Sequence, residues 1–199
     1  MLLLDRLEVT IEEYLYLSKN SSLYSTETLI ENIKEVYINK DISKLMQFRD
    51  YELQKGKKLN AIMITALAKN IDANIELELS ELTEVCDYLF TFDTWGKHEI
   101  ILFGNIVICL PVEIILSYVQ QLVQQRKKIY EIKTNNKLFI GTIINISFLL
   151  LNYEMFDEVS SLFDLIKREI GNNEYLLLER NSFLFVKGLY LYKIGDREP

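Results

Sequence analysis

The sequence predicts an all-α fold, a tetratricopeptide-like array of helix pairs coiled as a right-handed α-solenoid. Three observations carry that expectation. The chain is sparsely punctuated, with seven Gly and two Pro in 199 residues, one Pro being the last residue. Long helices joined by short polar turns need few breakers. Apolar residues recur at helical intervals along most of the length. From residue 57 onward a spacing of about 40 residues per two helices emerges, within the range of helix-pair solenoids.

The elements follow in order. Thr10 and Glu13 have capping-box spacing, flanked by Val9 and Tyr14 as a hydrophobic staple. A second helix follows Ser25, with Leu29, Ile33 and Val36 on one face. A third starts after Asp41, a good N-cap, and runs to about Gly56. Further helices are expected at about 57–72, 80–92, 95–109, 112–131, 135–152, 155–171 and 176–194. Asp93 or Thr94 is expected to cap the third of these, and Pro111 suits the first turn of the fourth. "TNN" (134–136) and "GNN" (171–173) read as turns. The whole is expected to be one helical-repeat domain, 1–199. Residues 1–56 form N-terminal linker and dimerisation helices, and 57–199 form helix pairs with an incomplete last repeat.

The period shows in "WGKHEIILFGN" near 95, "NKLFIGTIIN" near 135 and "EYLLLERNSF" near 175. "NYEMFDEV" (152–159) and "YKIGDREP" (192–199) fall 40 apart and have the aromatic-turn-acidic character of a link between paired helices. Shifted by 40, Asn105 lands on Asn145, and Gly141 lands on Asn181. His98 and Asn152 lie seven residues from Asn105 and Asn145, on the same faces. First helices of successive units line the inside of a solenoid. A row of amides there suits an extended peptide, because an Asn side chain donates to one backbone group and accepts from another. Ile101, Leu102 and Phe148 would hold the peptide's side chains. The competing reading is that each Asn bonds a neighbouring helix or a water in the core. Trp95 reads as a packing anchor at a helix start, and His98 as a groove-edge residue.

Composition excludes other classes. A net charge of −7 and a pI of about 4.9 disfavour direct nucleic-acid binding, which needs clustered cations. The one dense basic run, "QQRKKIYEIK", reads as a solvated helix end. Cys86 and Cys109 lack metal-ligand spacing and read as reduced core thiols of a cytoplasmic protein. "LFIGTIINISFLLLNY" (138–153) is shorter than the roughly 18 apolar residues of a membrane span, and reads as a buried helix. No phosphate loop, catalytic triad or metal motif is present, so no enzyme and no cofactor is expected. Glu12, Glu13, Glu81 and Glu84 read as first-turn acids that favour the helix dipole.

The segment "CDYLFTFDTWGKHEIILFGNIV" (86–107) resembles the Trp-centred segment of the Rgg/GadR/MutR family of Gram-positive transcriptional regulators, at Trp95, Gly96, Glu99 and "ILFGN". The opening "LLLDRLEVTIEEYLYLSKN" is similar to the family's stretch just after its DNA-binding domain. The resemblance implies a dimerising helical array that binds a short hydrophobic signalling peptide in quorum sensing. Related peptide sensors use Asn side chains on inner helices to hold the peptide, and Asn105 and Asn145 match that role, Asn181 less closely. DNA would be met only through a helix-turn-helix that this chain lacks, so a sensor fragment or a truncated member is expected. Apolar helices near both chain ends agree with a homodimer. A helical-repeat interaction scaffold with no small ligand is the alternative.

Overall fold

The computed structural model describes residues 25–130, 133–171 and 174–195. The expected capping box at Thr10 and Glu13 lies outside them. The chain divides into two compact units, Met1–Asp41 and Ile42–Pro199. Among the described residues there are nine α-helices and no strand.

In the first unit, α1 (Ser25–Ile38) buries Leu29, Ile33 and Val36. These are the three residues that the helical spacing puts on one face. It ends where Lys40 takes a positive φ of 55° and the Asp41 N–H donates to the Val36 carbonyl.

The second unit holds α2 (Ile42–Gln54), α3 (Lys58–Ile71), α4 (Leu79–Phe90) and α5 (Lys97–Ile106). These are followed by α6 (Val112–Tyr130), α7 (Lys133–Asn152), α8 (Phe156–Ile170) and α9 (Leu177–Ile194). Helix α2 pairs with α3. Then α3 packs on α5, α5 on α7, and α7 on α9. Helices α6 and α8 cover α7, and α8 also packs on α9. One helix of each pair therefore stacks into a continuous row, and the other forms a second layer. That is the tetratricopeptide-like solenoid that the 40-residue spacing predicts.

Two expectations about boundaries are corrected. Thr134, Asn135 and Asn136 do not form a turn but lie in the first turns of α7. Polar residues that favour turns are equally at home where a helix has unpaired N–H groups. Asp93 and Thr94 do not cap α5, which begins at Lys97 with Gly96 in the cap position. The reason is Trp95. Its side chain is 1% exposed, so the backbone must dive inward before the helix can start. The Gly96 N–H donates to Glu99 Oε2 at 2.9 Å, supplying half of a capping box. Pro111 stands just before α6, where its carbonyl accepts from Ile115 N–H at 3.0 Å.

The link from α4 to α5 is clasped by one face of α6. Gln125 Oε1 accepts from the Trp95 N–H at 2.7 Å, and Gln121 Nε2 donates to the Phe92 carbonyl at 3.1 Å. Tyr118 Oη donates to the Cys86 carbonyl at 2.9 Å. Trp95, Phe103 and Tyr118 form a three-ring cluster with centroids 5.3 to 5.6 Å apart. Trp95 is thus the packing anchor that its position predicts.

Candidate peptide-binding face

Helix α7 is surrounded by α5, α6, α8 and α9. One strip stays open: Lys137, Asn145, Phe148 and Asn152 are exposed and Gly141 is half-buried. At 100° per residue these five positions fall within about 80° of the helix circumference. Everything else on α7 between residues 139 and 151 is buried except half-buried Leu149. The amide at 145 is therefore no core group; it stands at the solvent surface among apolar neighbours.

Helix α5 offers a matching strip of half-buried residues, His98, Ile101 and Asn105, continued by Ile108 in the short 3-10 turn Val107–Cys109 that follows it. Gly104 fixes its orientation. A Cβ there would lie 3.1 Å from Thr142 Oγ1, so Gly104 faces α7 and Thr142 faces α5. Asn105 is turned about 100° one way from Gly104, and Asn145 about 60° the other way from Thr142. For side-by-side helices with a returning helix between them, opposite turns bring both strips to one side. On α9 the Lys193 ammonium donates to the Leu151 carbonyl at 3.0 Å, marking the side toward α7. Asn181, Phe185, Gly188 and Tyr192 lie about 80–140° from it, turned to the same side as the α7 strip. Helix α9 buries its opposite face, where Phe183 and Tyr190 meet Phe163 of α8 at 5.2 and 5.3 Å.

The fold thus turns Asn105, Asn145, Asn152 and Asn181 to one side of the row, though their states differ. Asn145, Asn152 and Asn181 are exposed. Asn105 is half-buried, and its Nδ2 donates back to the Ile101 carbonyl at 2.7 Å. That bond ties one of its two N–H groups to its own helix. His98 is held by an edge-on ring contact with Tyr88 of α4, centroids 5.8 Å apart. Tyr88 Oη in turn donates to Glu99 Oε1 at 2.8 Å. Burial, with the Glu99 carboxylate beside it, holds the Tyr88 phenol well above its ordinary value.

Two further readings are corrected. Leu102 cannot hold a ligand side chain: it is 1% exposed, because one residue past Ile101 turns the side chain 100° into the core. Cys86 and Cys109 are half-buried rather than core. Both are reduced, and burial pushes the Cys109 thiol up to about 11. Sequence reasoning missed Phe185 and Tyr192, which are 64% and 70% exposed. Their signal was present: large aromatic residues on the α9 side opposite Phe183. No group of three or more His, Cys, Asp or Glu able to hold a metal occurs among the described residues. No described helix is long and apolar enough to cross a membrane.

Residues 40–199 match the family model for the C-terminal domain of the HTH-type transcriptional regulator Rgg. The chain belongs to the Rgg family. It is a regulatory domain of that family and not an enzyme. The Streptococcus dysgalactiae SHP pheromone receptor Rgg2 is similar at 27% identity and a TM-score of 0.75, over 98% of this chain and 70% of that one. A cysteine-to-serine variant of that receptor gives the same values. A candidate transcriptional regulator from Listeria monocytogenes EGD-e shares the fold, with a TM-score of 0.77 at 15% identity over 98% of this chain and 69% of that one. The segment around Trp95 is, in this Rgg domain, the clasp between α4, α5 and α6.

Proposed function

We propose that this Rgg domain senses a short hydrophobic peptide, laid extended along the shared face of α5, α7 and α9, and that it works as a homodimer. The open strip of α7 carries the proposal, with Asn145 and Asn152 flanking Phe148 on an otherwise buried helix. Each exposed amide offers a donor and an acceptor to a peptide backbone, and Phe148, Phe185 and Tyr192 offer apolar contact between them. Kinship with a pheromone receptor supports the choice of peptide over other ligands.

Asn145 is the principal hook, because it is exposed where Asn105 is half-buried. Asn105 contributes its Oδ1 and the N–H left over from its bond to Ile101, and Asn181 extends the row. His98 stands at the edge. Regulation follows by population shift: a peptide that prefers one curvature of the array changes how a dimer presents its attached DNA-binding segments. The dimer would bury the outer edge of α9, where Leu177 and Leu184 are 63% and 56% exposed.

Calorimetry with a pool of short hydrophobic peptides tests the site. Asn145→Ala should weaken binding about tenfold, the equivalent of about 1.4 kcal/mol, with unchanged helicity. Equal affinity of wild type and variant would refute the assignment. If no peptide binds at all, the scaffold reading takes its place.

A further inference from the structure

The second layer of helices carries a groove of its own, on the other side of the array from the peptide face. It is a cleft of about 370 Å³ between α6 and α8. Its floor is apolar: Leu116, Val119 and Val123 from α6, and Leu162 and Leu165 from α8. Gln120, Gln124 and Ser161 form the rim. Arg126 and Arg168 stand at one end and Glu158 at the other.

The two walls run in the same direction. Arg126 Nε lies 3.8 Å from Glu169 Oε1, joining the C-terminal ends of α6 and α8. Leu116 and Glu158 mark the other end, ten residues earlier on each helix. Ten residues of helix span about 15 Å. The floor residues of α6 repeat at i, i+3 and i+7, and those of α8 at i and i+3, so the floor is ridged at the spacing of a helix surface. The charge is polarised. At the basic end Arg126 is paired with Glu169 while Arg168 stands exposed beside it; at the other end Glu158 follows Asp157 on α8.

The geometry points to a docking site for an amphipathic helix of a partner protein, lying parallel to α6 and α8. A third helix of two to three turns fits the length, and its leucines at i, i+3 and i+7 fit the ridges. Its C-terminal end, negative by its dipole and carrying an acidic residue in the last turn, meets Arg126 and Arg168. Its N-terminal end meets Glu158. An extended strand has a two-residue repeat that does not match ridges spaced by a helical turn. The inference stands apart from peptide sensing on α5, α7 and α9.

The probe is a stapled 14-residue helix with Leu at three positions of that spacing and two Glu in the last turn. Fluorescence anisotropy measures its affinity for the whole chain, and hydrogen exchange maps where it protects. Protection should fall on α6 and α8. Replacing the two Glu by Lys should weaken binding on the order of tenfold, and Arg168→Glu should do the same. Ser161→Trp fills the groove from an exposed position and should abolish binding without lowering the melting temperature. Protection on α5, α7 and α9 instead, equal binding of the Lys peptide, or full binding by Ser161→Trp would each overturn the assignment.

Discussion

Replacing Trp95 by Ala tests whether the buried indole just before α5 is structural. The indole is 1% exposed and packs against Phe103 and Tyr118 at 5.3 and 5.6 Å. Its Nε1 donates to the Leu89 carbonyl at 3.2 Å, tying the end of α4 to the start of α5. Truncating a buried Trp to Ala costs about 3–5 kcal/mol through lost transfer energy and the remaining cavity. For a chain of this length, each kcal/mol lowers the melting temperature by about 2–4 °C, so a fall on the order of 10 °C is expected. Trp95→Phe keeps a ring for the aromatic cluster and loses the indole bond, and should cost about 1–2 kcal/mol. Thermal and urea unfolding followed by far-UV circular dichroism measure both, without needing the tryptophan signal. If Trp95→Ala stays within about 1 kcal/mol of wild type but loses peptide affinity, the indole is a ligand contact and the clasp argument fails.

Gly104→Ala should be close to neutral, because a helix-propensity gain of about 1 kcal/mol is offset by crowding Thr142. The pair Gly104→Ala/Thr142→Ala should then be more stable than the sum of the two single changes, and strict additivity in a double-mutant cycle would contradict the close approach of α5 and α7. Asn60→Ala should cost about 1–3 kcal/mol, since Asn60 Nδ2 donates to the buried Glu52 Oε2 at 2.6 Å; urea titration reads it. Cys109 should resist iodoacetamide near pH 8 and react only as pH climbs toward about 11, because a raised thiol pKa keeps the unreactive neutral form. Labelling at the rate of an unfolded control at pH 8, read by intact mass, would show that burial does not protect it. Leu184→Glu should lower the mass measured by light scattering to that of a monomer if α9 forms the dimer contact.

Several helices were legible because they stop at a local signal: Gly56, Gly171 and Gly195 with positive φ, and Pro111 just before α6. Their stacking order was legible from the 40-residue period. What a period cannot convey is which side of a helix a neighbour occupies. Leu102 and Ile101 are adjacent in sequence and 100° apart in space, and only the α5–α7 contact decides which is core. The bonds from Trp95 to Gln125, Tyr118 to Cys86 and Lys193 to Leu151 span 30, 32 and 42 residues. No local pattern announces them. They explain why α5 starts late and why the inner strips share a side. The groove between α6 and α8 was hidden for the same reason: its floor residues read in sequence as ordinary core positions of two separate helices.

The placement of charge argues for what the inner face meets. In a chain that is 26% charged, a strip facing only water would be expected to carry Glu and Lys, which favour helix and solubility. Helix α8 does this, exposing Asp157, Asp164, Lys167 and Arg168. Beyond Lys137 at its start, the open strip of α7 carries no charge from Gly141 to Asn152, only Gly, Asn, Phe and Asn. Asn is a weaker helix former than Glu or Lys, so each of these positions gives up a few tenths of a kcal/mol. A charged side chain that lost its water to an apolar ligand would cost far more. An amide can exchange water for a peptide group at little net loss. Uncharged hydrogen-bonding groups between apolar ones are therefore what a face needs if it is to be covered and uncovered reversibly by a neutral peptide.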